Sequence, residues 1–420
     1  MKVLHISTSD TKGGAARAAY RLHQGLQNIN INSQMLVKEK SSGDKNIYAP
    51  KMNLSQGIAK AKLTFDSLPL KIYRQPRESL FSLQWLPDKI VSQVDNLAPD
   101  IINLHWINAA YMQIETMARL KYPLVWTLHD MWAFTGGCHT SWSCDRYTQS
   151  CGVCPQLGSQ KELDLSRWVW QRKSKAWKNL NLTIVTPSRW LAGCAQSSSL
   201  LRDFPIQVVP HGLNTQVYRP INPQIAREIL KLPQDKQLIL FGAMNATSDK
   251  NKGFHLLQPA LQKVSKSGWE DKLEIVIFGA SLPEKPPPLG FKSHYLGQLS
   301  DDLSLALVYS AADLMLVPSI QESFGQTASE SLACGTPVVA FNTTGLNDII
   351  DHKKNGYLAQ IFEIDDLAKG ITWVLEEKAR HQILSQNARL KVEQEFSLEL
   401  QSKRYESLFQ QILDYKSSQG

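Results

Sequence analysis

Glu322-Ser323-Phe324-Gly325-Gln326-Thr327-Ala328-Ser329-Glu330 is the stretch from which the rest of the chain can be read. An apolar run, Ala312 to Val317, precedes it and ends at Pro318. A second apolar segment, Ser329 to Cys334, follows and stops at Gly335 and Pro337. Strand, loop, short helix and stop is the order these signals predict. The two carboxylates then fall one in the loop and one inside the helix. Between them Gly325 lets backbone approach a ligand and opens a helix N-terminus, where free N–H groups and the helix dipole favour an anion. Carboxylates near a helix start also serve as plain caps or solvated charges, so the surrounding sequence has to decide.

Outward from that stretch, strand and helix patterns alternate. Leu238 to Ala243 reads as a buried strand, then a polar loop from Asn245 to Lys252, Gly253, and a helix bearing Leu256, Leu257 and Leu261. Lys250 and Lys252 stand at that helix's start, placed to meet a diphosphate as point charges. The G-x-x-x-x-G-K-[ST] loop is absent. Leu273 to Ala280 is the next strand, then Tyr295 to Leu299, and after the opening stretch Thr336 to Phe341. Residues 365–377, 381–394 and 398–415 read as helices. An acceptor at each end of an anion site suits a polar ligand with phosphate in its middle, the form of a nucleotide-sugar.

The first half repeats the alternation. Lys2–Ser7 is a strand, Gly13-Gly14 a polar turn, and Ala15, Ala18, Ala19, Leu22 and Leu26 recur at helical spacing. This opens a doubly wound unit, though Gly13-Gly14 is not a G-x-G-x-x-G fingerprint. Ser33–Val37, Asp100 to Trp106, Pro123 to Asp130 and Leu182–Thr186 are further strands. Two of them end in imidazoles, His105 and His129, at the edge where α/β sites form; a lone strand-end histidine is often structural. The break between halves is expected near residue 208, which gives domains 1–208 and 209–395 and a terminal helical segment 396–420 packing back on the first. The fold class is α/β, two Rossmann-like doubly wound domains facing across a cleft, the default ligand site.

Residues 1–205 hold 25 Lys and Arg against 14 Asp and Glu, and residues 206–420 hold 21 against 24. A basic first half suits an anionic acceptor or an anionic membrane surface. Nucleic acid is not expected, because no zinc-finger, helix-turn-helix or RNA-binding signature accompanies the charge. In residues 41–90, Lys51, Lys60, Lys62, Lys71, Arg74 and Arg77 interleave with Leu54, Ile58, Leu63, Phe65, Leu68 and Ile72. That suits an amphipathic, membrane-facing element or a solvated helix over the core. Leu165 to Leu180, with Trp168, Trp170 and Trp177 among lysines and arginines, reads either as interfacial or as a surface helix with inward tryptophans, the second slightly preferred. No apolar run approaches the ~18 residues that span a bilayer, and the first strand is too short for a signal peptide, so the expected location is the cytoplasm, peripheral at the inner membrane face. Cys138, Cys144, Cys151 and Cys154 share one loop; Cys151-x-x-Cys154 is a zinc-knuckle spacing, but the first pair is spaced too widely. A structural zinc, disulfides and reduced packing thiols all stay open, with zinc not favoured.

Together the motifs resemble the retaining glycosyltransferases of family 4, which have the GT-B fold. The residues that carry this in the second half are Gly242 to Gly253, Ile277-Phe278-Gly279, Gly297-Gln298-Leu299, Val317-Pro318-Ser319, the Glu322–Glu330 stretch, Ala333 to Val339 and Asn355-Gly356-Tyr357. Gly13-Gly14-Ala15-Ala16, His105-Trp106 and the run from His129-Asp130-Met131-Trp132 to Cys154-Pro155 resemble the bacterial exopolysaccharide branch. The resemblance implies that Glu330 binds ribose hydroxyls and that Glu322 faces the transferred sugar. It implies sugar contacts from the backbone of Phe324, Gly325 and Gln326, phosphate contacts near Thr327, and neutralisation of the leaving diphosphate by Lys252. Gly279 and Leu299 would frame the base, Gly14 would approach sugar and phosphate, and His129 would sit by the sugar and assist. Ser323 and Asn245 complete the implied donor set. The usual arginine after the Gly242 strand is missing, since that loop reads Ala243 to Ser248, and His211-Gly212-Leu213-Asn214 stands where an Asn-Gly-Val-Asp turn is common.

The implied activity is transfer of a hexose from a nucleotide-sugar, UDP-hexose and first of all UDP-glucose, to a saccharide acceptor, lipid-linked, in exopolysaccharide synthesis. No D-x-D sequence is present and no metal or other cofactor is expected for catalysis. Retention is expected by same-face attack, because no carboxylate is evident for a double displacement. The rival readings are a nucleotide-sugar epimerase of the same form and a non-catalytic nucleotide-sugar or membrane-binding module.

Overall fold

The structure, a computed structural model, describes residues 1–50, 55–73, 79–242 and 248–417. It divides into two compact units, residues 1–210 with 401–420, and residues 211–400. In the first, β1 (Lys2–Ser9), β2 (Asn32–Glu39), β3 (Ile47–Tyr48), β4 (Ile101–Leu104), β5 (Leu124–Thr127), β6 (Leu182–Thr186) and β7 (Ile206–Val208) form one sheet in the order β3-β2-β1-β4-β5-β6-β7. Every pair in it is parallel. Buried parallel strands need apolar residues on both faces, and Leu4, Ile6, Ile102, Leu104, Leu124 and Trp126 supply one of them. The helix Gly14–Asn28 presents Ala18, Ala19, Leu22 and Leu26 to the sheet.

In the second unit, β8 (Gln237–Gly242), β9 (Leu273–Phe278), β10 (Ser293–Tyr295), β11 (Leu314–Val317), β12 (Val338–Phe341) and β13 (Gly356–Ala359) run in the order β10-β9-β8-β11-β12-β13, again all parallel. Each sheet therefore reverses its winding once, between β1 and β4 and between β8 and β11. Outside the strand ends at such a reversal the flanking loops diverge and leave a crevice.

The long terminal helix, Leu398–Ser417, begins in the second unit and joins the first, where Tyr405, Leu408 and Phe409 pack with Val3, Leu22, Val125 and Val185. The tryptophan-rich helix, Leu165–Trp177, turns Trp177 into the core at 5.2 Å from Trp126, edge to face, and leaves Trp168 outward under Arg172. Lys173 is buried beside it, its amine 3.6 Å over the Trp132 ring and donating to the carbonyls of Trp132 and Thr135. Burial lowers this amine well below the ordinary lysine value. The composition that suggested an interface is thus largely a core composition.

Candidate active site

In the second unit the implied donor residues gather on three loops leaving β9, β8 and β11, around the winding reversal. The loop after β8 ends in a single turn, Lys250–Lys252, capped by Asp249, whose carboxylate accepts from the Asn251 N–H. Asn251 then ties this turn to the loop after β11. Its side-chain amide donates to the Gln321 carbonyl at 2.8 Å, and its side-chain oxygen accepts from the Gln321 N–H at 3.0 Å. That tie brings Lys252 Nζ to 2.7 Å from Glu322 Oε1, both part-buried. Burial pushes the Lys252 amine down, but Glu322 and Asp249 outweigh this and hold it above the ordinary lysine value. The site therefore keeps one fixed positive charge at neutral pH.

Glu322 is itself fixed: its N–H donates to Thr344 Oγ1 and its carbonyl accepts from Gly345 N–H. Gly325, with φ +108°, caps the helix Gln326–Ala333, and a Cβ there would lie 2.7 Å from Leu346 Cδ2. Only glycine takes that conformation without strain. Ser323, Gln326 and Thr327 are half-buried on the open side of this turn, whereas the Phe324 ring is buried, edge-on to His211 and Phe396. Phe324 therefore anchors the loop through its ring, and the role implied for it falls to its backbone alone. Glu330 is buried one turn into the helix, where Oε2 accepts from the Tyr309 hydroxyl at 2.9 Å. After β9, Gly279 donates to the Gly297 carbonyl, and its own carbonyl accepts from Gln298 Nε2 at 2.8 Å, with Leu299 half-buried next to them. Asn245 lies outside the described residues.

In the first unit, Gly14 opens the helix that follows β1, exposed beyond Gly13 at φ +93°. The strand-end imidazoles meet: His105 Nδ1 lies 3.0 Å from His129 Nε2, and His105 Nε2 lies 2.9 Å from Nδ1 of His5, a residue of β1. Asp130 does not serve His129. Its carboxylate accepts from His139 Nδ1, Trp106 Nε1 and the Trp132 N–H. Burial pushes that carboxyl up, yet His139 and these donors hold it below the ordinary value. His5, Asn103, Thr127, Tyr309 and Tyr405 were not singled out from the sequence. A polar residue inside an apolar strand, as in Ile101-Ile102-Asn103-Leu104, was the available signal.

Burial lowers the imidazoles of His5 and His129, the latter to about 4. Folded-state values below the unfolded one mean that the unfolded chain binds more protons between about pH 4 and 6.5. The stability these groups contribute is complete above about pH 6.5 and is lost as pH falls towards 4. The urea midpoint is expected to fall between pH 7 and pH 5; a flat midpoint over that range contradicts the assignment.

The four loop cysteines line one small cavity of about 20 Å³ with Phe81 and Tyr147. All six cysteines are free thiols, and burial pushes Cys151 up to about 12. Among the described residues no three His, Cys, Asp or Glu side chains are grouped to hold a metal ion.

Residues 12–217 match the family described as Glycosyltransferase Family 4, and residues 224–391 match Glycosyl transferases group 1. The two matches fall one on each half of the chain. A D-inositol 3-phosphate glycosyltransferase of Thermobispora bispora is 30% identical over 200 residues, 44% of this chain and 45% of that protein. An uncharacterised glycosyltransferase of Methanocaldococcus jannaschii is 30% identical over 179 residues, 41% and 44% of the two chains. The chain thus spans about half the length of the curated relatives it matches. Among solved structures, sucrose-phosphate synthase from Thermosynechococcus elongatus superposes with a TM-score of 0.70 at 17% identity, covering 99% of this chain and all of that one. The Anabaena protein HepE, solved with UDP and glucose, gives 0.67 at 17% identity over 98% and 99%. These likenesses establish the fold as two Rossmann-like domains of the GT-B class.

Proposed function

We propose that the protein is a retaining hexosyltransferase that uses a UDP-hexose, UDP-glucose first, and passes the sugar to a lipid-linked saccharide in exopolysaccharide synthesis. The observation that carries this reading is the grouping of Lys252 and Glu322 beside the helix that holds Glu330, at the winding reversal of the second sheet. A buried carboxylate braced by Tyr309 suits a pair of ribose hydroxyls. A held cation beside a helix N-terminus suits a diphosphate. HepE was solved with UDP-glucose, which favours that donor as the first to try.

In the proposed reaction the anomeric C–O bond breaks and negative charge develops on the leaving diphosphate. Lys252 and the N–H groups at the start of Gln326–Ala333 stabilise that charge without reorganising. The acceptor hydroxyl attacks from the same face within an oxocarbenium-like ion pair and gives its proton to the leaving phosphate. Glu322 holds Lys252 charged and faces the sugar.

Leu63, Phe65, Leu68, Ile72 and Leu80 are exposed apolar side chains on the helix Ser55–Ser67 and the turns after it. With a basic first half they favour an acceptor presented at an anionic membrane surface. Lys51, Leu54, Arg74 and Arg77, and the side chains of Ile58 and Lys60, lie outside the described residues. No helix among the described residues is long and apolar enough to cross a membrane.

A panel of UDP-, GDP- and ADP-sugars scored by thermal shift and slow donor hydrolysis tests the donor. UDP-glucose is expected to stabilise the wild-type protein and not Glu330→Ala. No shift with any sugar nucleotide would count against a working donor site. A product whose anomeric NMR coupling shows inversion would remove the same-face mechanism, and conversion of the donor sugar without acceptor would indicate an epimerase.

A further inference from the structure

The imidazoles of the first unit belong to a longer hydrogen-bonded chain whose polarity follows from the Asn103 amide. Tyr405, on the terminal helix, meets Thr127 Oγ1 at 2.8 Å. Thr127 has one hydroxyl proton, and it goes to Asn103 Oδ1 at 2.9 Å, an atom that can only accept. Tyr405 must therefore donate to Thr127. With its oxygen so engaged, Asn103 turns its amide nitrogen to His5 Nδ1, at 3.5 Å. His5 Nδ1 thus faces a donor and presents its lone pair.

The same lone pair faces His105 Nε2 at 2.9 Å, so His105 carries its proton on Nε2 and its Nδ1 accepts. His105 Nδ1 at 3.0 Å from His129 Nε2 places the His129 proton on Nε2. His5, Asn103, Thr127 and Tyr405 are all buried, so water does not compete along this chain. The remaining His5 proton, on Nε2, points from a ring that stands edge-on to His23 at 6.0 Å.

From this geometry we infer that His5 and His105 are positioning residues that lock His129 as the neutral Nε2–H tautomer, with the Nδ1 lone pair as its only acceptor. In that tautomer His129 Nδ1 can accept a hydrogen bond but cannot give one. The orientation of the Asn103 amide sets this polarity, and Tyr405, on the terminal helix, ends the row by donating to Thr127. The kinetic part of the inference rests on the proposed transfer reaction; the tautomer does not.

Imidazole ¹⁵N spectra of the full chain near pH 7.5, with the His129 signals assigned by their loss in His129→Asn, test the tautomer directly. A protonated Nε2 and an unprotonated Nδ1 are expected. A protonated Nδ1, or an averaged pair of shifts, overturns the inference whether or not the protein transfers sugar. His105→Phe keeps a ring and removes both nitrogens. It is expected to average the His129 shifts and to lower kcat by about tenfold to a hundredfold, with the donor KM nearly unchanged. A folded His105→Phe protein with wild-type His129 shifts and wild-type kcat would also overturn it. Were that variant not to fold, the wild-type spectrum alone decides.

Discussion

Lys252→Ala is expected to lower kcat/KM for sugar transfer by about a hundredfold to a thousandfold, the usual effect of removing one preorganised group from developing charge. The loss should fall mostly on kcat, because the cation matters most when the diphosphate is leaving. Two features support an effect of this size. The amine is held 2.7 Å from Glu322 Oε1, so its position is set before any ligand arrives. Its pKa is held above the ordinary lysine value, so it is charged throughout the working pH range. Stability should change little, by about 1 kcal/mol or less, since the pair is part-buried and open to solvent screening. Lys252→Arg separates charge from shape: a guanidinium keeps the charge but not the compact amine geometry, and partial activity is expected. Steady-state rates at saturating donor, alongside nucleotide affinity by calorimetry, check this. A Lys252→Ala protein within about threefold of the wild-type kcat would remove Lys252 from the charge-stabilising role.

Gly253→Ala is expected to cost about 3 kcal/mol of stability or more. Gly253 takes φ +70°, and a Cβ there would lie 1.9 Å from the Pro318 carbonyl oxygen and 2.7 Å from the carbonyl carbon. The left-handed conformation alone costs a non-glycine residue roughly 1–2 kcal/mol. The clash adds to that, because the colliding atoms are backbone and cannot rotate away. Neither side is free to move: Ile320 N–H donates to the Asn251 carbonyl at 2.9 Å, and Asn251 and Gln321 are joined twice more. Relief of the clash must therefore part the two loops that bring Lys252 to Glu322. Gly193→Ala is the matching control. Gly193 lies exposed in the helix Arg189–Ser197 with nothing within 4 Å of an added Cβ, so alanine should stabilise it by about 0.5–1 kcal/mol. Urea unfolding of both variants reads the difference, and a Gly253→Ala midpoint equal to wild type would refute the close approach.

Local pattern was enough for the architecture and for the turn and helix start around Glu322. Short apolar runs such as Leu238–Phe241 and Leu314–Val317, bounded by the glycines and prolines after them, fit strands buried on both faces, as in a parallel sheet. The Glu322–Glu330 stretch is continuous, so its turn and helix start could be read from spacing alone. Tertiary structure decided what depends on groups far apart in sequence. Glu330 meets Tyr309 across 21 positions, and Lys252 meets Glu322 across 70. For the Trp168–Trp177 segment the sequence only slightly preferred inward tryptophans, since an amphipathic side chain can pack at a membrane or in a core; the fold turns Trp177 and Lys173 inward and leaves Trp168 exposed. Least legible was the state of His129. Its direction of hydrogen bonding follows through His105 and His5 from Asn103, in a row that runs on to Thr127 and Tyr405, 278 positions from Thr127. A hydroxyl, an amide and an imidazole each accept or donate according to their neighbours. Their roles become fixed only when folding places the whole row in contact, away from water.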